Sequence, residues 1–93
     1  MPTNLRELAR GQPCQIRIPG HCTHNTEETV LCHAPGGGMG TKTSDLQGAW
    51  GCYGCHAVVD GAVKSSYSRD EILLMFYEGM SRTLAEVSKI INL

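Results

Sequence analysis

The chain has 93 residues, 41 % of them hydrophobic, with one Trp, one Phe and three Tyr. That bounds it to one domain with a modest core, whose unaided net stability is at most roughly 5–10 kcal/mol. Eight Lys and Arg stand against nine Asp and Glu, a formal net charge of −1, so no global basic surface marks a nucleic-acid binder. No apolar run approaches the ~18 residues of a membrane span. The N-terminal stretch also lacks the apolar centre of a secretory signal, so the expected compartment is the cytoplasm.

Taken in chain order, residues 3–10 predict one or two helical turns capped by Thr3 or Asn4 and stopped by Gly11. Gln15-Ile16-Arg17-Ile18 alternates polar and apolar and predicts a short strand, with Pro19-Gly20 as the turn after it. Residues 23–28 read as a polar loop. Thr29 to Ala34 is β-prone, sets His33 near a strand end, and stops at Pro35. Gly36 to Gly48 holds five glycines and reads as a long exposed loop of the kind that often carries function. Ala49-Trp50-Gly51 leads into Cys52. A short helix is predicted from Tyr53 to Asp60, ended by Gly61. Ser68-Arg69-Asp70-Glu71 is a capping box. Ile72, Leu73, Met75, Phe76 and Met80 follow it at helical spacing. Gly79 predicts a break or kink before a second stripe of Leu84, Val87, Ile90 and Ile91. There are no repeats and no interdomain linker.

Five cysteines are an odd number, and without export signals paired cysteines read as metal ligands before disulfides. Cys52-x-x-Cys55 is the strong pair, because two intervening residues let both thiols reach one ion from a tight turn. Cys14 and Cys22, with seven residues between them, are the weaker pair. Together the four suit a closed tetrahedral zinc site of treble-clef type, with one pair from a hairpin and one from a turn entering a helix. Such a site is worth about 10–16 kcal/mol in apparent binding free energy, so the metal would dominate folding of the first two-thirds. Cys14 or Cys22 as a plain buried thiol, and His21 or His24 as substitute ligands, remain open on spacing alone.

Cys52-x-x-Cys55-His56 also has the form of a haem-attachment signature. Haem would leave Cys14, Cys22 and Cys32 without a role, and Met75 and Met80 fit a helix core better than an axial position. No haem is expected. The glycine run before Lys42 is not a phosphate-binding loop, because Thr41 separates the last glycine from the lysine. No nucleotide cofactor is expected.

Two histidines remain unspent. His56 and Asp60 are spaced i, i+4 and share one helical face, where an imidazole and a carboxylate can hold a divalent cation. A neutral His33 opposite them could take a proton from water. Those are the parts for metal-assisted hydrolysis of a phosphodiester. Residues 1–20 hold three Arg against one Glu, a weak basic patch in which Arg10 and Arg17, with Lys42 in the glycine loop, are the candidate DNA contacts.

Leu31-Cys32-His33-Ala34-Pro35 followed by Gly36-Gly37-Gly38, and Cys52-x-x-Cys55-His56, resemble the first and last motifs of the HNH, or His-Me finger, endonuclease superfamily. The start Arg-Gly-Gln-Pro-Cys-Gln-Ile-Arg-Ile-Pro-Gly, the Cys-His-Ala-Val-Val-Asp helix and Glu-Gly-Met-Ser-Arg-Thr near the end are similar to the YbcO-type nucleases of lambdoid phages and prophages. That similarity covers nearly the whole chain. It implies an α+β fold: a zinc-bound treble-clef or ββα-metal (HNH-like) core over residues 1–61 with a helical C-terminal part over 62–93, together a single nuclease domain. It implies His33 as general base, His56 as ligand of a catalytic Mg²⁺ or another divalent ion, and Cys14, Cys22, Cys52 and Cys55 as ligands of a structural Zn²⁺. The chain departs from the pattern twice. Cys32 stands where an Asp or His often helps bind metal, and the middle Asn is missing, with only Asp45 or Gln47 nearby. Asp60 is the candidate to complete the catalytic site. The expected activity is metal-dependent endonucleolytic cleavage of DNA; the alternative is a catalytically silent zinc module that binds DNA or a phage protein.

Overall fold

The computed structural model describes residues 4–34 and 47–91. Most of the glycine loop, with Lys42 and Asp45, lies outside the described residues. The elements are α1 (Leu5–Leu8), a 3₁₀ turn (Thr26–Glu28), β1 (Val30–His33), β2 (Gly48–Gly51), α2 (Tyr53–Val59) and α3 (Arg69–Ile91). The fold is α+β, with a two-stranded antiparallel sheet in the register Val30↔Gly51, Leu31↔Trp50, Cys32↔Ala49 and His33↔Gly48.

Local chemistry accounts for most boundaries. Asn4 caps α1, its side chain accepting from the amides of Arg6 at 3.0 Å and Glu7 at 3.3 Å. Asn25 caps the 3₁₀ turn through the Glu27 amide. The capping box closes in both directions: the Glu71 amide donates to Ser68 Oγ at 3.1 Å, and the Ser68 amide donates to Glu71 Oε1 at 2.8 Å. That bond holds the Glu71 carboxyl below its usual range. Gly61, at φ +81°, turns the chain away after α2.

The strand expected over residues 15–18 does not form. Arg17 adopts φ +57°, which folds the segment into a knuckle. Gln15, Ile16 and Ile18 are all buried, so the alternation expected of a half-exposed strand reflects a turn that buries both isoleucines. The second strand is instead Gly48–Gly51, where two glycines flank only two side chains and leave little β signature. A Cβ on Gly51 would stand 2.8 Å from Cys32 Sγ and 2.7 Å from Ile16 Cδ1; the strand is bare there because the core is full.

The hairpin has two packed faces. Cys32 and Ala49 face a cluster with Ile16, Ile18, Cys52, Cys55, Val58, Val59, Ile72 and Phe76. Leu31 and Trp50 face a second cluster with Leu5, Leu8, Ala9, Val87 and Ile91. The outer edge of β2 is covered as well. Trp50 donates its amide to Thr83 Oγ1 at 2.9 Å and accepts from the Gln15 amide at 2.7 Å, so no ladder group of Trp50 is left open to pairing.

α3 is one uninterrupted helix of 23 residues, about 35 Å long, and Gly79 does not break it. Its buried stripe is Ile72, Phe76, Gly79, Thr83 and Val87. Gly79 is there for room: a Cβ would lie 2.8 Å from Gln15 O and 2.9 Å from Ile16 Cα. One turn on, Arg82 donates to the same Gln15 carbonyl from both Nε and Nη2. Gly79→Ala should gain about 1 kcal/mol of helix propensity, yet lower stability by about 1–3 kcal/mol through overpacking against backbone. Denaturant midpoints check this; a midpoint raised by the alanine would show that the knuckle yields.

Candidate metal centre and active site

The four sulfurs of Cys14, Cys22, Cys52 and Cys55 lie within 4.8 Å of one another. Cys14 and Cys55 are 3.7 Å apart, and Cys22 and Cys52 3.8 Å. A tetrahedron of thiolates with Zn–S bonds of ~2.3 Å has S···S edges of about 3.8 Å, so both pairs already have the spacing of a closed zinc site. Backbone amides point at the sulfurs: Ile18 N–H to Cys55 at 3.3 Å, Thr23 N–H to Cys52 at 3.3 Å, and Cys55 N–H to Cys52 at 3.5 Å. These donors favour thiolates and orient them. Gly54 lets the two knuckles interleave, since a Cβ there would sit 2.0 Å from His21 O.

The sulfurs also suit a cation electrostatically. The hydrogen bond with Cys55 lowers Cys14 to about 4 and pushes Cys55 up. Burial raises Cys22 to about 11. Four packed sulfurs therefore resolve into thiol and thiolate partners, and a soft dication is what lets all four ionise. His24 stands beside the cluster at φ +58°, its Nδ1 3.7 Å from Cys22 Sγ. That is a contact to one sulfur of the cluster, and the four cysteines already offer four ligand atoms without the imidazole. His21 is half-buried and supplies its carbonyl to the Gly54 crossing.

α2 starts at the second knuckle and carries His56 and Asp60 outward. His56 Nε2 and Asp60 Oδ2 are 3.0 Å apart, at 39 % and 55 % side-chain exposure. The spacing suits a hydrogen bond. It also equals the edge between adjacent ligands of an octahedral ion with bonds of about 2.1 Å, roughly 3.0 Å, so the pair fits a small hard cation open to solvent. Cys32, the expected soft neighbour of that site, is fully buried. Burial, then the nearby Asp60 charge, pushes its thiol up to about 12, and it stays a protonated core residue. His33 follows it at the end of β1, opposite Gly48 and partly exposed. Alternation along the strand puts His33 on the Leu31 face and not the Cys32 face.

Residues 3–92 match the protein family described as "Putative nuclease YbcO". The chain belongs to the YbcO family. It is 41 % identical over 86 residues to "Putative nuclease YbcO" of Escherichia coli (strain K12), covering 86 % of this chain and 85 % of that protein. The same figures hold for "Putative nuclease ybcO" of Enterobacteria phage 82. Among solved structures, "Structure of a putative bacteriophage protein from Escherichia coli str. K-12 substr. MG1655" superposes with a TM-score of 0.81 at 33 % identity, over 95 % of this chain and all of that one.

In this YbcO-family chain the expected DNA-contacting cations are placed unevenly. Arg10 is exposed just beyond α1. Arg17 is folded onto its own knuckle, donating from Nε to Cys14 O at 3.3 Å and from Nη2 to Gln15 Oε1 at 3.1 Å; its first task is local. Lys42 lies outside the described residues. Two cations that spacing did not single out, Lys64 and Arg69, border a hollow of about 290 Å³ beyond the C-terminus of α2. Among the described residues, no helix is long and apolar enough to cross a membrane.

Proposed function

We propose that this chain is a metal-dependent, HNH-type endonuclease that hydrolyses phosphodiester bonds of DNA. The observation that carries the reading is the solvent-open His56–Asp60 pair, 3.0 Å apart, on a helix anchored by a four-cysteine knuckle. In this reading Cys14, Cys22, Cys52 and Cys55 hold Zn²⁺ and fix the start of α2. His56 and Asp60 hold a Mg²⁺-like ion, which when bound supplies a positive charge to polarise the scissile phosphate. His33 takes the proton from the attacking water. The family's description as a nuclease agrees with this assignment.

A nicking assay tests it. The zinc-loaded protein, given supercoiled plasmid and Mg²⁺ or Mn²⁺, should yield relaxed and then linear DNA, and none when the divalent ion is omitted. A protein that cleaves neither single- nor double-stranded DNA with any divalent ion is the silent zinc module instead. The net charge of −1, the inward-turned Cys32, and the strand alternation that sets His33 on the hairpin face away from α2 favour that second reading.

With Arg17 engaged in its own turn, DNA affinity rests on few phosphate contacts. The logarithm of affinity should fall against log salt with a slope of only about −3 to −4. A much steeper slope in a titration would reveal a basic surface made elsewhere, as by pairing of two copies.

A further inference from the structure

Tyr53 is the most exposed of the large hydrophobic side chains described, at 71 %. It opens α2, three residues before His56 and seven before Asp60. On a helix those offsets fall within one narrow arc, so the phenol ring, the imidazole and the carboxylate share one outward face. Beyond Asp60 the chain turns at Gly61 into the hollow bordered by Lys64 and Arg69, whose floor includes Val58, Val63 and Ile72. No acidic side chain lines that hollow. Arg69 spends Nη1 on Val59 O at 2.9 Å, which fixes the guanidinium at the rim. Lys64 has no acidic partner among the described residues.

We infer that this face of α2 begins a track for an unpaired DNA strand, with one base stacked on Tyr53 and a backbone phosphate beside His56 and Asp60, and that the strand then turns past the end of the helix toward its Val58 side, where a further phosphate meets Lys64 and Arg69. A solvent-exposed aromatic offers a π-face to any unstacked base, whereas the bases of a duplex are already stacked and present only their edges. The proposal rests on the nuclease reading for the place of the scissile phosphate, and it adds the substrate class: single strands, or duplexes with an unpaired segment.

Binding and cleavage distinguish the two ideas. Affinity is measured by fluorescence anisotropy on the zinc-loaded protein, with a labelled ten-nucleotide single strand and with the same sequence as a duplex, without added divalent ion. The single strand should bind more tightly. Tyr53→Ala should weaken it roughly 10-fold or more while Tyr53→Trp keeps it, with zinc content unchanged in both. Lys64→Glu should weaken it and lower the salt slope by about 1. Tighter binding of the duplex, no detectable binding of the single strand, or equal affinity of Tyr53→Ala and wild type, overturns the track. If wild type cleaves DNA while Tyr53→Ala binds unchanged, the track fails and the nuclease stands. If the single strand binds as expected and nothing is cleaved, the track stands and the nuclease fails.

Discussion

Chelation of the four-cysteine metal is expected to unfold the protein from residue 14 through α2 and to release α3 from its seat. The cause is the position of the first knuckle between everything else. Its Gln15 amide pairs with Trp50 O and its Gln15 carbonyl is held by Arg82. Ile16 and Ile18 fill the larger core cluster, and Gly79 of α3 lies flat against it. A knuckle with its own left-handed residue and no strand pairing has little reason to keep this shape unless Cys14 and Cys22 are tied to Cys52 and Cys55. A zinc ion held there would contribute about 10–16 kcal/mol, and a core of this size offers roughly 5–10 kcal/mol of net stability. Removing the ion therefore exceeds the whole margin. Elemental analysis should find about one zinc per chain. Circular dichroism and amide dispersion in NMR spectra should collapse on chelation and return with zinc. Cys14→Ser and Cys55→Ser should each lose the metal and the cooperative transition, whereas His24→Ala should keep both. Retention of stoichiometric zinc by Cys14→Ser would sink the four-cysteine assignment.

Much of this was legible where local chemistry decides structure. Asn4, Gly61 and the Ser68–Glu71 box act through bonds within four residues of themselves, so their sequence signals survive folding unchanged. The Cys52-x-x-Cys55 turn belongs to the same class. The misreadings lie where a distant segment decides. Residues 15–18 carry a strand's alternation, but the amide of Ile18 is claimed by Cys55 Sγ, 37 positions away, and Arg17 takes a left-handed turn to allow it. Gly48–Gly51 shows little strand propensity because its glycines answer to Leu31, Cys32 and Ile16 across the fold. Gly79 looked like a helix stop and is a contact surface. Arg17 stays exposed, as a DNA-facing cation would, and is also bonded to its own turn. The Tyr53–His56–Asp60 register was present in the spacing all along. It becomes visible once α2 is known to bury Cys55, Val58 and Val59, which leaves the opposite face to the other three.

Substituting His33 and His56 should abolish cleavage in two different ways, and the difference identifies their roles. His33 ends β1 on the strand face away from buried Cys32, and neither it nor His56 is among the four residues whose sulfurs converge. His33→Ala should therefore leave zinc content and thermal stability nearly intact. Divalent-dependent cleavage should fall by ~10²–10⁴-fold, the range for a positioned general base. Raising Mg²⁺ or Mn²⁺ should not restore it, because the missing function is proton removal. His56→Ala should cut cleavage as deeply by weakening the hold on the ion, so a large excess of Mn²⁺ should recover part of the rate. Asp60→Asn should behave as His56→Ala does, since the two side chains meet at 3.0 Å and each would be left with half a ligand pair. Folding is read independently from the zinc content and melting curve of each variant. If His33→Ala loses zinc or melts far below wild type, His33 is a structural residue at the hairpin end. If added Mn²⁺ rescues His33→Ala but not His56→Ala, the assignments of base and ligand are reversed.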